Sequence, residues 1–363
     1  MTPTRHEPIT VKPIAEVAQF QKNMIPANIP VTYAIKPIFK DIAQDEDIHR
    51  GVVAFRDFLC NLCDCLATEG HSFAKPAKKP SSMADYPFLY NLTNFLVDIG
   101  YHGKLSENGG LLLATNLPLC TATVDANGKK TAPKISATSQ KECIQFLTLC
   151  GVNFHGTLMG IEPMEISYPS NPIMLTGLKA LAIADMELRA GRRYWNDNNL
   201  LRCDYRMLKS EESDMADVLM DFLHPLPENI RKFALDLHKR YTAKGLNCIN
   251  TRLGLISFAY ANTSKSRKTL SERDVYGKRI WEFSYAIKNG YNIFVRAKKT
   301  EKYAEIIKTF PAFLQEKIAR GYGCDRKHGA RCQMGCQGIG ISLDDSILEI
   351  ADDIKTWLDN EVK

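Results

Sequence analysis

Apolar residues recur at helical spacing in several separate stretches of the chain. Between residues 49 and 68 an apolar side chain falls every three or four positions, which forms one stripe along a helix. The stripe consists of Val52, Phe55, Leu59, Leu62 and Leu66. The same spacing predicts helices over residues 88–99, 172–189, 213–223, 228–245, 300–309 and 311–320, and a last helix that begins after Asp344 or Asp345.

Glycine and turn residues separate the second predicted helix from the segment that follows it. Gly100 comes directly after this helix, and glycine is the residue that best tolerates the left-handed conformation that closes a helix. Leu105 and the run Leu111–Leu113 then flank the turn sequence Ser-Glu-Asn-Gly-Gly. The pattern therefore predicts that the helix ends at Gly100 and that a short hairpin follows.

Two alternating runs predict a second hairpin, and their pattern restricts how the strands pair. Apolar residues occupy positions 281, 283, 285 and 287 in the first run and 291, 293, 295 and 297 in the second. A two-residue loop would pair Ile287 with Asn292 and place the two apolar sets on opposite faces. A three-residue loop over residues 288–290 pairs Phe283 with Val295 and aligns both sets, with Gly290 in a left-handed conformation.

A short pattern recurs at a distance of 51 residues. Phe95-Leu96 and Gly100 match Phe146-Leu147 and Gly151. One interpretation is a duplicated unit in which a helix is followed by a strand. The other is chance recurrence, because a pattern this short arises readily in an unrelated sequence.

The length and the mixture of patterns predict the fold class. A chain of 363 residues exceeds the size at which one hydrophobic core usually keeps growing. We therefore expect an α+β protein of two domains, the C-terminal one a small antiparallel sheet packed with helices and a Cys-rich loop. The predicted segments are an N-terminal helical part with a linker (1–80), a helix and hairpin domain that contains the candidate duplication (81–220), and an α+β domain (221–363).

Composition narrows the class of protein. Hydrophobic residues make up 45% of the chain and charged residues 24%, which is typical of a folded globular protein. The first residues include Arg5, His6 and Glu7 instead of an apolar run, and no stretch approaches the roughly 18 apolar residues of a membrane span. We therefore predict a cytoplasmic protein without a membrane partner. Its 11 cysteines are then expected to be reduced thiols or metal ligands.

The glycine-rich segment Gly321–Gly340 contains the strongest candidate for a metal site. Three cysteines and one histidine recur there at intervals of four, and six glycines argue against a continuous helix. Three thiolates and one imidazole form a common ligand set for structural zinc. The predicted ligands are Cys324, His328, Cys332 and Cys336. Reduced structural thiols, or a disulfide or redox role, are the alternatives, and Cys203 or Cys248 could replace His328.

The remaining cysteines fit a metal site less well. Cys60, Cys63 and Cys65 lie on one predicted helix, but successive residues are rotated by 100°, so their side chains diverge. Cys143 and Cys150 share a face but are about 10 Å apart along the axis, too far for a disulfide between them. We interpret both as core residues.

Three segments resemble a group of uncharacterised bacterial proteins. The first is the C-terminal region with its Cys-x7-Cys-x3-Cys loop and the helix start Leu343-Asp344-Asp345-Ser346-Ile347. The others are Tyr168–Pro172 with Leu178–Ala180, and Leu201–Arg206. The resemblance covers about half of the chain. It implies a bacterial source but no activity.

Charge is uneven along the sequence and suggests a partner. The net charge is +6, and residues 261–336 contain 17 Lys and Arg against 7 Asp and Glu. Tyr276, Trp281 and Tyr291 lie among these basic residues, a combination that suits phosphate contact and base stacking. The predicted polyanion-binding residues are Lys265, Arg267, Lys268, Arg273, Lys278 and Arg279, with Arg296, Lys298 and Lys299 beyond them. A solvated loop is the alternative interpretation.

No familiar catalytic motif is present. The sequence contains no Gly-x-Ser-x-Gly, no His-Glu-x-x-His and no Walker loop. We therefore favour a binding or regulatory role with a structural zinc loop. The alternatives are a protein that binds nucleic acid or another polyanion through residues 261–336, and an enzyme whose catalytic residues are dispersed.

Overall fold

The computed structural model describes residues 9–113, 123–124, 130–131, 135–156, 164–190, 200–250, 257–262, 278–320 and 338–363. They form two compact domains, Ile9–Ser213 and Asp214–Lys363. Helices and antiparallel sheets occur in both domains, which confirms the predicted α+β class. Within the described ranges, every helix falls short of the length and apolar character that a membrane crossing requires.

The first domain contains five α-helices among its described residues. They are α1 (Ile14–Lys22), α2 (Asp45–Glu69), α3 (Pro87–His102), α4 (Ala137–Leu149) and α5 (Met174–Ala190). Single turns of 3-10 helix lie at Pro37–Phe39, Gly70–Ser72, Leu200–Arg202 and Tyr205–Met207. The predicted stripe of α2 is buried, because all five of its apolar side chains are at most 1% exposed.

Glycines allow the central helices of this domain to approach closely. A Cβ added at Gly51 of α2 would lie 2.6 Å from the amide nitrogen of Gly177 of α5. The prediction that Gly100 ends the second helix is wrong, because α3 continues to His102. Gly100 instead faces α5, where a Cβ would lie 2.7 Å from the Cβ of Ala182. The lack of a side chain at Gly100 therefore permits close packing of α3 against α5, and the helix ends two residues later, at His102.

A four-stranded antiparallel sheet completes the first domain. Its strands are β1 (Lys104–Leu105), β2 (Leu111–Leu113), β5 (Asn153–His155) and β6 (Met164–Ser167), in the order β1-β2-β6-β5. A separate pair consists of β3 (Thr123–Val124) and β4 (Lys130–Thr131). The hairpin predicted after α3 is confirmed as β1 and β2, and Gly109 in its turn has a φ of 76°.

The order of elements in this sheet repeats. Helix α3 leads into the hairpin β1-β2, and α4 leads into the antiparallel pair β5-β6. The two pairs meet at β2 and β6, where Leu112 lies opposite Glu165. A duplicated helix-and-hairpin unit would give this arrangement, and the duplication stays a prediction.

The second domain is built on a five-stranded antiparallel sheet of order β11-β10-β9-β8-β7. The strands are β7 (Asn247–Asn250), β8 (Ser257–Ala261), β9 (Arg279–Ala286), β10 (Gly290–Val295) and β11 (Ile339–Ser342). The helices are α6 (Met215–Leu223), α7 (Glu228–Ala243), α8 (Ala304–Ile307), α9 (Ala312–Arg320), α10 (Ser346–Glu349) and α11 (Ala351–Val362). A 3-10 turn at Thr300–Tyr303 precedes α8.

The β9-β10 hairpin keeps the predicted faces but not the predicted register. Tyr291 lies opposite Tyr285, Ile293 opposite Phe283 and Val295 opposite Trp281. The predicted pairing of Phe283 with Val295 is therefore wrong by two residues, and the loop comprises residues 287–289. A two-residue shift leaves every side chain on the same face, so alternation alone cannot exclude it. Gly290 has a φ of 65°, which confirms its predicted left-handed conformation.

Apolar side chains cover one side of this sheet, which we call the aromatic face. It consists of Phe258, Tyr260, Trp281, Phe283, Tyr291, Ile293 and Val295. The rings of Trp281 and Tyr260 are parallel, with centroids 3.7 Å apart. Tyr241 of α7 lies 5.5 Å from Trp281, and Phe222 of α6 lies 5.0 Å from Phe258. The helices therefore pack on this face.

Candidate anion-binding site

The structure describes only part of the sites predicted from the sequence. Outside the described residues lie the four predicted zinc ligands, Cys324, His328, Cys332 and Cys336. Outside them also lie four of the predicted polyanion-binding residues, Lys265, Arg267, Lys268 and Arg273. The other two, Lys278 and Arg279, are found at the start of β9. In the part of the chain that the structure describes, no group of three or more His, Cys, Asp or Glu could hold a metal ion.

A buried carboxylate joins two arginines on the side of the sheet opposite the aromatic face. Glu282 of β9 accepts a hydrogen bond from Nη1 of Arg279 and another from Nη2 of Arg296, each at 2.8 Å. The three side chains are only 7–11% exposed. We call this trio the arginine cluster. Because guanidinium groups stay charged and Glu282 supplies a single negative charge, the trio itself carries a net charge of about +1.

A bulge in the sheet brings Arg279 to Glu282. The two residues are three positions apart, and residues at odd separations point to opposite faces of a regular strand. Between β8 and β9 the register shifts: Tyr260 lies opposite Trp281, whereas the next residue, Ala261, lies opposite Arg279. The extra residue of β9 turns the strand locally, as β-bulges do. Arg279 therefore reaches the carboxylate and is not part of a solvated loop.

The second arginine is fixed by the end of β10. The amide of Arg296 donates to the carbonyl oxygen of Ile280 at 2.8 Å, which continues the strand pairing by one residue. Its guanidinium carbon lies 4.6 Å from the ring centroid of Phe294, a cation–π contact. These contacts and the bond to Glu282 hold the guanidinium in one place.

Two lysines follow Arg296 on a sharply turned segment. Ala297 has a φ of 42°, a left-handed conformation that is uncommon for a residue with a Cβ. Beyond this turn, the amides of Lys298 and Lys299 donate to the two carboxylate oxygens of Glu361 in α11, at 3.0 and 3.3 Å. The hydroxyl of Tyr303 donates to the same carboxylate. The backbone is therefore anchored by a buried acid, while the side chain of Lys298 remains exposed.

The pKa of Lys298 reflects both desolvation and the charges of its neighbours. This pKa is lowered, first by desolvation and then by the like charges of Arg296 and Arg279, while Glu361 acts in the opposite direction. Desolvation disfavours a charge of either sign, so only the contribution of the two arginines favours an anion over a cation at this position. Arg279 and Arg296 thus contribute a positive potential at Lys298.

We call the described basic residues of this region the basic site. It comprises five cations, Lys278, Arg279, Arg296, Lys298 and Lys299. The carboxylate of Glu282 pairs with the two arginine side chains, and the carboxylate of Glu361 accepts from the backbone amides of Lys298 and Lys299. The described residues of the predicted basic region therefore lie where β9 begins and β10 ends.

The predicted stacking residues do not accompany this charge. Trp281 is fully buried and Tyr291 is 8% exposed, and both belong to the aromatic face. Tyr276 lies outside the described residues. Of the two roles that the sequence suggests for Trp281 and Tyr291, the structure supports the place on the apolar face of the hairpin, and their burial leaves neither ring available to stack on a base.

Two acidic residues of the site were missed by the sequence analysis. Glu282 stands within the alternating run of β9, where a polar residue is normally read as solvent-facing. The only local signal was its spacing from Arg279, which suggests no contact in a regular strand. Glu361 lies 62 residues from Lys299, and no sequence pattern links the two.

Comparison with known proteins gives no relative: no protein-family model, no curated protein and no solved structure matches the chain. The chemistry of the basic site therefore rests on its own residues and their geometry.

Proposed function

We propose that the protein is a cytoplasmic binding protein whose second domain holds the phosphate backbone of a nucleic acid at the basic site. The observation that carries the proposal is the convergence of two arginines on one glutamate beside an exposed lysine whose pKa is lowered in part by the neighbouring positive charge. Phosphate contacts by Lys and Arg supply most of the affinity of sequence-independent nucleic-acid binding.

The buried and the exposed residues of the site are expected to have different roles. Arg279 and Arg296 are buried and bonded to Glu282, so they contribute chiefly a fixed positive potential. The side chains of Lys278 and Lys298 are on the surface and can approach a phosphate directly. Since Trp281 and Tyr291 are buried, recognition at this site reads the charge of the backbone and not the bases.

A salt titration tests the proposal. Binding of a fluorescently labelled DNA duplex is measured by anisotropy at several salt concentrations. Each phosphate contact contributes about −0.9 to the slope of log K against log salt. In the double variant Lys278→Ala and Lys298→Ala, the slope is therefore expected to become less negative by up to about two units. The side chains change while the backbone bond of Lys298 to Glu361 remains.

The matched control is Lys288→Ala. Lys288 is an exposed lysine in the loop at the opposite end of the same hairpin, roughly 20 Å of strand away. It should leave the slope unchanged. Equal slopes for the wild type and the double variant, or absence of binding at low salt, would contradict the proposal, and inorganic polyphosphate binding in place of DNA would redirect it to another phosphate polymer.

We further propose that Cys324, His328, Cys332 and Cys336 hold one structural zinc ion. The support is their even spacing and the position of the segment between α9 and β11. Gly338, where the chain is described again, lies against the ring of Phe294, and that ring also contacts the guanidinium of Arg296. An ordered metal loop would therefore fix the entry to β11 beside the basic site.

Elemental analysis tests the zinc proposal separately from nucleic-acid binding. The purified protein should contain about one zinc per chain, and Cys332→Ser should lower this content. Cys60→Ser, which changes a cysteine of the first domain, is the control and should retain the metal. Metal-free protein that is folded, with the three loop thiols open to alkylation, would exclude the ion without affecting the DNA result.

A further inference from the structure

Three aromatic side chains of the second domain form a continuous series of ring contacts. The rings of Tyr260 in β8 and Trp281 in β9 are parallel to within 5°, with centroids 3.7 Å apart. The ring of Tyr241 in α7 meets that of Trp281 edge-on, with centroids 5.5 Å apart. All three residues are 0% exposed. We call them the aromatic triad, and its ring contacts allow an electron to pass along it in two short steps.

The inner tyrosine of the triad has a proton acceptor at its hydroxyl group. The hydroxyl oxygen of Tyr260 lies 2.8 Å from Nδ1 of His238, which is 6% exposed. The tyrosine donates this hydrogen bond when the neutral imidazole carries its own proton on Nε2. Desolvation by burial raises the pKa of Tyr260 well above its ordinary value, so the hydroxyl stays protonated at neutral pH. An electron that leaves Tyr260 must therefore be accompanied by the proton, and His238 is placed to receive it.

The outer tyrosine has an acceptor that reaches solvent. The hydroxyl oxygen of Tyr241 lies 2.9 Å from Oδ1 of Asp359 and 3.0 Å from the carbonyl oxygen of Lys355. The side chain of Asp359 is 22% exposed, whereas Tyr241 itself is buried. The carboxylate of Asp359 therefore connects this end of the triad with the surface, and it can accept the proton of an oxidised Tyr241.

The middle residue of the triad has no acceptor of this kind. The indole nitrogen of Trp281 is buried and has no hydrogen-bond partner among the described residues. An oxidised tryptophan that cannot pass its proton to a base remains a radical cation, which readily takes an electron from a neighbouring tyrosine. Trp281 therefore suits the passage of an electron, whereas Tyr260 with His238 suits a lasting radical.

We propose that the second domain passes single electrons from Tyr260 to an oxidant at its surface and keeps the resulting radical in its interior. The reactant is a one-electron oxidant, such as an oxygen-centred radical. It takes an electron from Tyr241, whose proton moves to Asp359. Tyr241 then regains an electron from Trp281 and its proton from Asp359. The Trp281 radical cation takes an electron from Tyr260, whose proton moves to His238. In total, the oxidant gains one electron, and Tyr260 becomes a neutral radical beside a protonated His238.

The location of the radical predicts a long lifetime. A tyrosyl radical on the surface decays by coupling to a second tyrosine or by reaction with solutes. Tyr260 is 0% exposed, so neither route is open to it. Tyr90 of the first domain, which is 43% exposed, represents the opposite case. A radical on Tyr260 should therefore outlast radicals on exposed tyrosines such as Tyr90.

Photochemical oxidation followed by electron paramagnetic resonance tests the proposal. A ruthenium tris-bipyridine complex with a cobalt(III) quencher supplies a one-electron oxidant in a light flash, and the full-length protein is frozen after a series of delays. The wild type should give a tyrosyl signal that persists after the radicals of exposed tyrosines have decayed. Tyr260→Phe, which removes only a hydroxyl group, should lose the persistent signal, and Tyr90→Phe should retain it. A persistent tyrosyl signal in Tyr260→Phe, or a wild-type signal that decays as fast as that of Tyr260→Phe, would overturn the proposal.

Two further variants test the path of the electron and the proton. Trp281→Phe keeps an aromatic ring that is harder to oxidise, so it should lower the yield of the persistent radical. His238→Gln removes the base from the hydroxyl of Tyr260, so it should shorten the lifetime of the radical. Circular dichroism shows whether each variant is folded, and Tyr241→Phe, which should also lower the yield, replaces Trp281→Phe if that variant is unfolded. Wild-type yield and lifetime in folded variants of this set would contradict the assigned path.

Discussion

The two sides of the five-stranded sheet are built on different physical principles. The aromatic face buries large apolar rings beneath helices, with Trp281 and Tyr260 stacked at 3.7 Å. The opposite side buries charge, with Glu282 held between Arg279 and Arg296. The first arrangement gains stability from burial, whereas the second can at best balance the cost of removing ions from water. The proposed binding of phosphate depends on the positive potential of this charged side.

The largest expected effect comes from the aromatic face. Trp281→Ala should destabilise the second domain by about 4 kcal/mol, because it removes a fully buried ring together with its stacking on Tyr260. Urea denaturation followed by circular dichroism measures the change. Ser284→Ala on the opposite side of the same strand should stay within about 0.5 kcal/mol of the wild type. A loss for Trp281→Ala below about 1 kcal/mol would mean that the face is not the core of this domain.

The arginine cluster is expected to show the next largest effect. Glu282→Gln leaves the buried arginines without their shared carboxylate, which should cost about 3 kcal/mol. Replacing all three residues by apolar ones, with Arg279→Met, Glu282→Leu and Arg296→Met, should restore most of this stability while weakening DNA binding. The same denaturation experiment and the anisotropy titration measure the two quantities. A triple variant as unstable as Glu282→Gln would show that the charges are needed for folding itself.

The same contrast explains what the sequence could and could not predict. The aromatic face follows from local alternation, so the pattern at Trp281, Phe283 and Ile293 identified the strands and their shared side. The arginine cluster depends on a bulge opposite Ala261 and on a pair 14 residues apart, neither of which alternation encodes. Gly100 failed as a helix end for a similar reason, because its role is set by a residue of another helix. Local patterns therefore predicted the helices and strands, whereas the arginine cluster and the role of Gly100 depend on tertiary contacts.

A third prediction concerns Gly290, the left-handed residue at the turn of the β9-β10 hairpin. Gly290 has a φ of 65° and open space where a Cβ would be, so Gly290→Ala should cost about 1 kcal/mol from backbone strain alone. Gly340→Ala in β11 is the matched control, because its backbone needs no left-handed conformation and its Cβ would make ordinary contacts with Phe294 and Asn292. Denaturation midpoints measure both. Equal costs for the two variants would contradict the explanation by strain.

The smallest expected effect belongs to an exposed ion cluster on the helices. Asp359 of α11 accepts hydrogen bonds from Arg240 and Lys244 at 2.5 Å each and from the hydroxyl of Tyr241 at 2.9 Å. Burial alone would raise the pKa of Asp359, but these bonds lower it to about 2. Because the side chains of the two cations are 43% and 38% exposed, solvent screens the pairs, and Asp359→Asn should cost only about 0.5 kcal/mol at neutral pH.

The pH dependence of Asp359→Asn isolates the contribution of its ion pairs. An aspartate whose pKa is lowered on folding adds stability above its unfolded value of about 3.9, and this contribution is lost as the pH falls towards the folded value of about 2. The wild type should therefore be more stable than Asp359→Asn at about pH 6, and the difference should shrink progressively below about pH 5 and disappear only below the folded pKa of about 2. Urea midpoints at a series of pH values measure the difference. A gap that stays constant over this whole range would show that the Asp359→Asn substitution disturbs packing and that the ion pairs contribute no stability.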